Sequence, residues 1–145
     1  MDILEGKKVL TKDGQLHNVS HLLKSKKIII YYFSASWVQT SVLTEKLKYI
    51  YEENLKRNLG MEIIYVSSDT DEKIFRHDYI EHHGAWAAIP FKGIIADELR
   101  WMYDITCLPQ LVVVKKDGEI ITRRGKEELE KLGINVLVTW TDYIQ

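Results

Sequence analysis

Six consecutive residues, Ile28-Ile29-Ile30-Tyr31-Tyr32-Phe33, constrain what this chain can fold into more than any other stretch. The run is β-branched and aromatic with no polar alternation, so as a strand it must be covered on both faces. It is too short to span a bilayer. Met61 to Ser68 repeats the pattern as a second central strand. Between the two, the chain from about Ser41 to Asn58 places Leu43, Leu47, Ile50 and Leu55 near helical spacing among lysines and glutamates, and Gly60 follows as a stop. Doubly covered strands joined by amphipathic helices specify an α/β protein.

The remaining segments complete that architecture. Val9-Leu10-Thr11 and the residues from Leu16 flank Lys12-Asp13-Gly14-Gln15, where Asp-Gly marks a tight N-terminal hairpin. Val19 to Lys24 reads as a short helix. Asp69-Thr70-Asp71-Glu72 supplies a capping box for a helix through Ile74, Phe75 and Tyr79. Trp86 to Phe91 is extended, and Ala96 to Tyr103 is a short helix. Leu111 to Val114 pairs through Lys116-Asp117-Gly118 with Glu119 to Thr122, and Lys126 to Gln145 forms a helical end with Trp140 and Tyr143 packing back. With 145 residues, no repeat and no long linker, residues 1–145 are expected to form one domain.

Two landmarks point to a family. Phe33-Ser34-Ala35-Ser36-Trp37-Val38-Gln39-Thr40-Ser41 joins the end of a buried strand to a helix. Leu108-Pro109 stands directly before another buried strand, where a proline cannot donate to the ladder and an X-Pro bond adopts cis cheaply. Through Tyr32 to Trp37, Val66 to Asp69, Trp86 to Phe91 and Leu108-Pro109, the chain resembles the tryparedoxin and nucleoredoxin branch of the thioredoxin superfamily. His83-Gly84-Ala85-Trp86, Glu98-Leu99-Arg100 and Val114 to Thr122 bring it nearest the nucleoredoxin-like proteins, the rod-derived cone viability factor group. The resemblance implies a thioredoxin fold, a central mixed sheet flanked by helices, here with an N-terminal hairpin extension. It also implies a cis bond at Pro109 and a role linked to maintenance of sensory neurons.

The chain departs from that family at its reactive centre. Where the branch carries Cys-Pro-Pro-Cys, Val38-Gln39-Thr40-Ser41 stands. Thiol–disulfide exchange needs one thiolate to attack and a second thiol to resolve the mixed disulfide. A helix N-terminus helps by lowering a thiol's pKa from about 8.5. Val38 has no ionisable atom, and the Ser41 alcohol holds its proton far too tightly to be ionised by a helix dipole. The expected function is therefore binding: a redox-inactive protein that holds an unknown protein or peptide partner. Trp37, Gln39, Thr40, Leu108 and Pro109 are the expected peptide-binding residues, since in family members this groove pairs with an extended peptide in strand fashion.

Cys107 is the single cysteine, which rules out an internal disulfide and suggests a reducing, cytoplasmic setting. It is the alternative redox thiol, weighed against a partly buried small hydrophobe. Ser41 lacks a histidine nearby in sequence to activate it. His77, His82 and His83 are separated by five and six residues where a helical metal clamp uses four, and His17 and His21 straddle a strand–helix junction. No metal and no cofactor is expected. Lysine plus arginine (20) nearly balances aspartate plus glutamate (21), so neither nucleic acid nor an anionic membrane is an expected partner. The start of the chain lacks the pattern of a secretory signal.

Overall fold

The computed structural model describes residues 3–144. Met1 and Asp2 at the start and Gln145 at the end of the expected C-terminal helical segment lie outside the described residues. In chain order the elements are β1 (Lys8–Leu10), β2 (Leu16–Asn18), α1 (Val19–Leu22), β3 (Ile28–Ser34), α2 (Ser41–Arg57), β4 (Met61–Ser67), α3 (Glu72–His82), β5 (Ala87–Ala88), α4 (Ile95–Met102), β6 (Gln110–Lys115), β7 (Ile120–Thr122), α5 (Gly125–Leu132) and α6 (Val136–Thr141). The strands form one mixed sheet in the order β2-β1-β5-β4-β3-β6-β7. β3 lies parallel to β4 and antiparallel to β6, and the β1–β2 hairpin extends the sheet antiparallel to β5.

Every residue of β3 is buried. Alternate side chains point to opposite faces of a strand. Ile28, Ile30 and Tyr32 therefore pack with Leu43, Leu47 and Ile50 of α2 and Phe75 and Tyr79 of α3. Ile29, Tyr31 and Phe33 pack on the other side with Val19, Leu23, Leu99 and Tyr103. Each such side chain contributes about 1.5–3 kcal/mol on leaving water.

Three residues expected in the packed stripes lie outside them: Leu55 and Ile74 are each 52% exposed and Tyr143 is 53% exposed. Approximate spacing did not distinguish the edge of an apolar stripe from its centre. Trp140 is buried as expected, and its indole N–H donates to Glu128 Oε1 at 2.8 Å. The end of α2 also differs in detail. Asn58 takes the left-handed position (φ 52°) directly after Arg57, and Gly60 (φ 76°) makes the further turn whose carbonyl accepts Lys27 N–H at 2.7 Å.

The hairpin tip reaches across to α3. Lys12 Nζ donates to the carbonyls of Tyr79 (2.8 Å), Ile80 (3.0 Å) and His83 (2.8 Å), three acceptors at the C-terminal end of that helix. Such carbonyls have no partner within their own helix.

Glu62 is 2% exposed on β4, accepts Tyr51 O–H at 2.9 Å and lies 3.8 Å from Lys26 Nζ. Burial raises its carboxyl pKa, only partly opposed by Tyr51 and Lys26. A raised folded-state value means the folded chain binds more protons than the unfolded one, so stability falls as pH climbs from about 4.3 towards that value. Glu62→Gln keeps the Tyr51 bond and removes this loss. Its stability is expected to exceed the parent's at neutral pH by about 1 kcal/mol, with the gain vanishing below about pH 4. Urea unfolding at several pH values measures both arms; a gain that persists at acid pH contradicts the assignment.

Candidate functional site

The end of β3, the loop 35–40 and the head of α2 form one edge of the sheet, and Asp69 holds it in place. Its carboxylate accepts Ser36 N–H with both oxygens at 3.2 Å, Ser36 O–H at 2.6 Å and Ser67 O–H at 2.7 Å. The expected capping box is thus realised differently: Asp71 caps α3 by accepting Ile74 N–H at 3.1 Å, while Asp69 turns to the loop. Ser36 precedes Trp37, which is 65% exposed. Asp69→Ala is expected to cost about 2 kcal/mol, because it removes hydrogen bonds to a charged group in a half-buried site. Faster hydrogen exchange at the Ser36 amide, with slow exchange kept at Ile30 and Ile63, reports a local loosening; unchanged Ser36 exchange contradicts this role.

Val38 and Thr40 are half-buried, and Gln39 and Ser41 are exposed. Thr40 stands at the N-cap of α2 without a side-chain capping bond, leaving the first-turn N–H groups without a side-chain acceptor there. The Leu108–Pro109 peptide bond is cis. Because Gln110 pairs with Phe33, the segment 107–109 arrives at the same end of the sheet as Ser34 to Val38. Leu108 and Pro109 are half-buried. Cys107 is exposed, with Sγ 4.0 Å from Gln110 Oε1, so the reading as a partly buried hydrophobe is corrected. The thiol stands on a loop beside the last strand pair and has no core to enter.

A cleft of about 400 Å³ opens beside this edge on the α3 side. It is lined by Val38 to Ser41 of the expected site together with Glu45, Asp78, His82 and His83; Leu108 and Pro109 do not line it. Asp78 is the residue that sequence reasoning missed, and His83, read there only as part of a family motif and of an unsuitable metal spacing, joins it in the cleft. Thirty-seven positions separate Asp78 from Ser41, and no motif marks it. His83 is 7% exposed, with Nε2 3.4 Å from Asp78 Oδ2 and its ring centroid 3.9 Å from that of Tyr65. Tyr65 O–H donates to the same Oδ2 at 2.9 Å. Burial lowers the His83 pKa, with Asp78 pulling the other way. Burial by itself would raise the Asp78 carboxyl, but the bonds from His83 and Tyr65 and the charge of His83 outweigh it and hold the group below its ordinary range.

His83 Nδ1 is buried without a hydrogen-bond partner, so no hydroxyl lies within its reach and Ser41 is not activated by it. The rings of His77 and His82 are 5.8 Å apart. Among the described residues no group of three or more His, Cys, Asp or Glu is placed to hold a metal ion. None of the described helices is long and apolar enough to cross a membrane.

The Thioredoxin-like family profile matches residues 25–120. The chain belongs to the thioredoxin-like family. Nucleoredoxin-like protein 1 of Homo sapiens is 25% identical over 132 residues, covering 86% of this chain and 61% of that protein. Probable nucleoredoxin 1 of Arabidopsis thaliana is 32% identical over 120 residues, covering 82% of this chain and 20% of its own length. The chain thus spans from a fifth to about three fifths of these relatives. The crystal structure of thioredoxin from Wuchereria bancrofti superposes with a TM-score of 0.82 at 32% identity, covering 99% of both chains.

This is therefore a nucleoredoxin-like thioredoxin fold: a mixed central sheet covered by helices on both faces, as the resemblance implies. Within it, the sequence from the end of β3 into α2 reads Ser-Trp-Val-Gln-Thr-Ser, and the chain's single sulfhydryl lies on the loop before Pro109.

Proposed function

We propose that this thioredoxin-like chain is a redox-inactive binding protein that holds an extended peptide or protein segment against Trp37, Gln39, Thr40, Leu108 and Pro109. One observation carries the reading. The loop leading into α2, where the fold's chemistry needs a thiolate, carries the alkyl side chain of Val38, and Trp37 stands exposed beside it. Tryptophan is enriched among the residues that anchor partners, and an extended peptide can pair with a neighbouring sheet edge. In this reading Val38 and Ser41 are the degenerate remains of a redox centre. No cofactor is required, and the protein works in the cytoplasm, away from nucleic acid and membrane. The likeness to nucleoredoxin-like proteins extends the proposal to the upkeep of sensory neurons, as family analogy.

Two measurements test it. Insulin or glutathione-disulfide reduction is expected to be absent, and capture of partners from a cognate extract is expected to be lost in Trp37→Ala and kept in Cys107→Ser. A second reading has its own observation: Cys107 is exposed, two residues before Pro109. Its thiolate would attack glutathione disulfide, forming a protein–glutathione disulfide and releasing one glutathione thiolate. Disulfide turnover that disappears in Cys107→Ser would establish that reading in place of the first. A third role, through another face of the protein, is indicated if both variants keep every partner.

A further inference from the structure

Asp78 is an ionised carboxylate with unused capacity. Its side chain is 16% exposed, yet among the described residues both polar groups against it, the Tyr65 hydroxyl donating at 2.9 Å and His83 Nε2 at 3.4 Å, fall on Oδ2. A carboxylate offers about four acceptor sites over its two oxygens. Among the described residues no donor reaches Oδ1, and Asp78 lines the cleft at the head of α2.

Acceptors dominate the rest of that cleft, where the two imidazoles of His82 and His83 stand beside the carboxylates. Glu45 adds a second carboxylate, with its side chain 70% exposed and 3.1 Å from Lys48 Nζ. Thr40 and Ser41 add neutral hydroxyl acceptors, and no lysine or arginine is among the lining residues. Lys12 nearby spends its ammonium on three carbonyls at and just past the end of α3. The head of α2 taken alone would favour an anion, but an anion entering here meets Asp78 and Glu45. A cation meets acceptors, and because Asp78 is already largely withdrawn from water, much of the desolvation cost of pairing has been met in folding. At about 400 Å³ the cleft accommodates an entire long side chain.

We propose that this cleft receives the cationic side chain, lysine ammonium or arginine guanidinium, of the peptide bound at the neighbouring edge, with Asp78 Oδ1 as its principal acceptor. The proposal rests on the reading of that edge as a peptide-binding surface and adds a specificity to it: a partner segment with a basic residue on the side facing α3.

The test is an amide NMR titration of the whole chain with Nα-acetyl-lysine amide, run beside its Nε-acetylated, uncharged analogue. Saturable shifts are expected at Thr40, Ser41, His82 and His83 with the charged probe. Affinity is expected to be weaker by about tenfold or more for the neutral analogue and for Asp78→Asn, as befits loss of a charge-assisted bond. Equal affinity for the two probes, or shifts that map away from the cleft, overturns the proposal. Should Asp78→Asn fail to fold, the paired probes on the unaltered chain still decide. A capped Gly-Lys-Gly-Gly peptide is expected to bind more tightly than free spermidine; the reverse order overturns the peptide as the source of the cation. A null lysine titration together with partner capture that still depends on Trp37 sinks only the cleft. Loss of capture with the titration intact sinks only the edge.

Discussion

Replacing Lys12 with alanine is expected to lower the unfolding midpoint by about 10 °C, the equivalent of about 3 kcal/mol in a domain of this size. The reason is the number of groups one ammonium serves. Lys12 Nζ donates to the carbonyls of Tyr79, Ile80 and His83, all within 3.0 Å, and lies 5.1 Å from the centroid of the Tyr79 ring. Removing it strips the carbonyls at the end of α3 of their donor, and the negative end of the helix dipole of the positive charge it favours. Lys12→Met keeps much of the aliphatic stem and none of the charge. It is expected to lose nearly as much as alanine, because stem packing is the smaller part. Thermal and urea unfolding of the two variants beside the parent make the comparison. If methionine restores most of the stability, the hairpin is held by packing and the three hydrogen bonds count for little.

The second large effect is a gain. The double change Val38→Cys with Ser41→Cys is expected to raise dithiothreitol-driven insulin reduction above the parent by about a hundredfold, because it installs an attacking thiol at a helix head and a resolving thiol one turn on. The site is prepared for it. Thr40 makes no side-chain cap, so first-turn N–H groups are left for a thiolate, and Asp69 already fixes Ser36 and the loop that presents position 38. The single change Val38→Cys is expected to form mixed disulfides without rapid turnover, since nothing stands ready to resolve them. Background activity in the parent equal to the double variant's would end the reading of this chain as redox-inactive. No gain in the double variant would show that the scaffold has drifted beyond its chemistry and not merely lost its sulfur.

Much of the fold is legible in residue order because the signals are local. Ile28 to Phe33 and Met61 to Ser67 carry strand propensity and burial on both faces, and Asp117-Gly118 marks the β6–β7 turn on its own. Leu55, Ile74 and Tyr143 escape such reading because one position of an apolar stripe looks like the next until the partner helix is placed. At the site, Val38 and Ser41 where the resembled family carries cysteines, and Trp37 beside them, can be read directly. The Asp69 clamp on Ser36, across 33 positions, cannot, and the same acidic segment offers Asp71 as an equally good cap in sequence.

The order of residues alone determined three things about this protein: two core strands buried on both faces, a proline before β6, and no sulfur at positions 38 and 41. Each depends on side-chain chemistry at neighbouring positions. Only the tertiary structure decided that Asp78 and His83 share a cleft with Thr40 and Ser41, that among the described residues one oxygen of Asp78 is left open there, and that Lys12 closes the far end of α3. Those are meetings between groups 37 to 71 positions apart, and what brings them together is the packing of α2 and α3 on one face of the sheet, a global minimum that no single segment encodes.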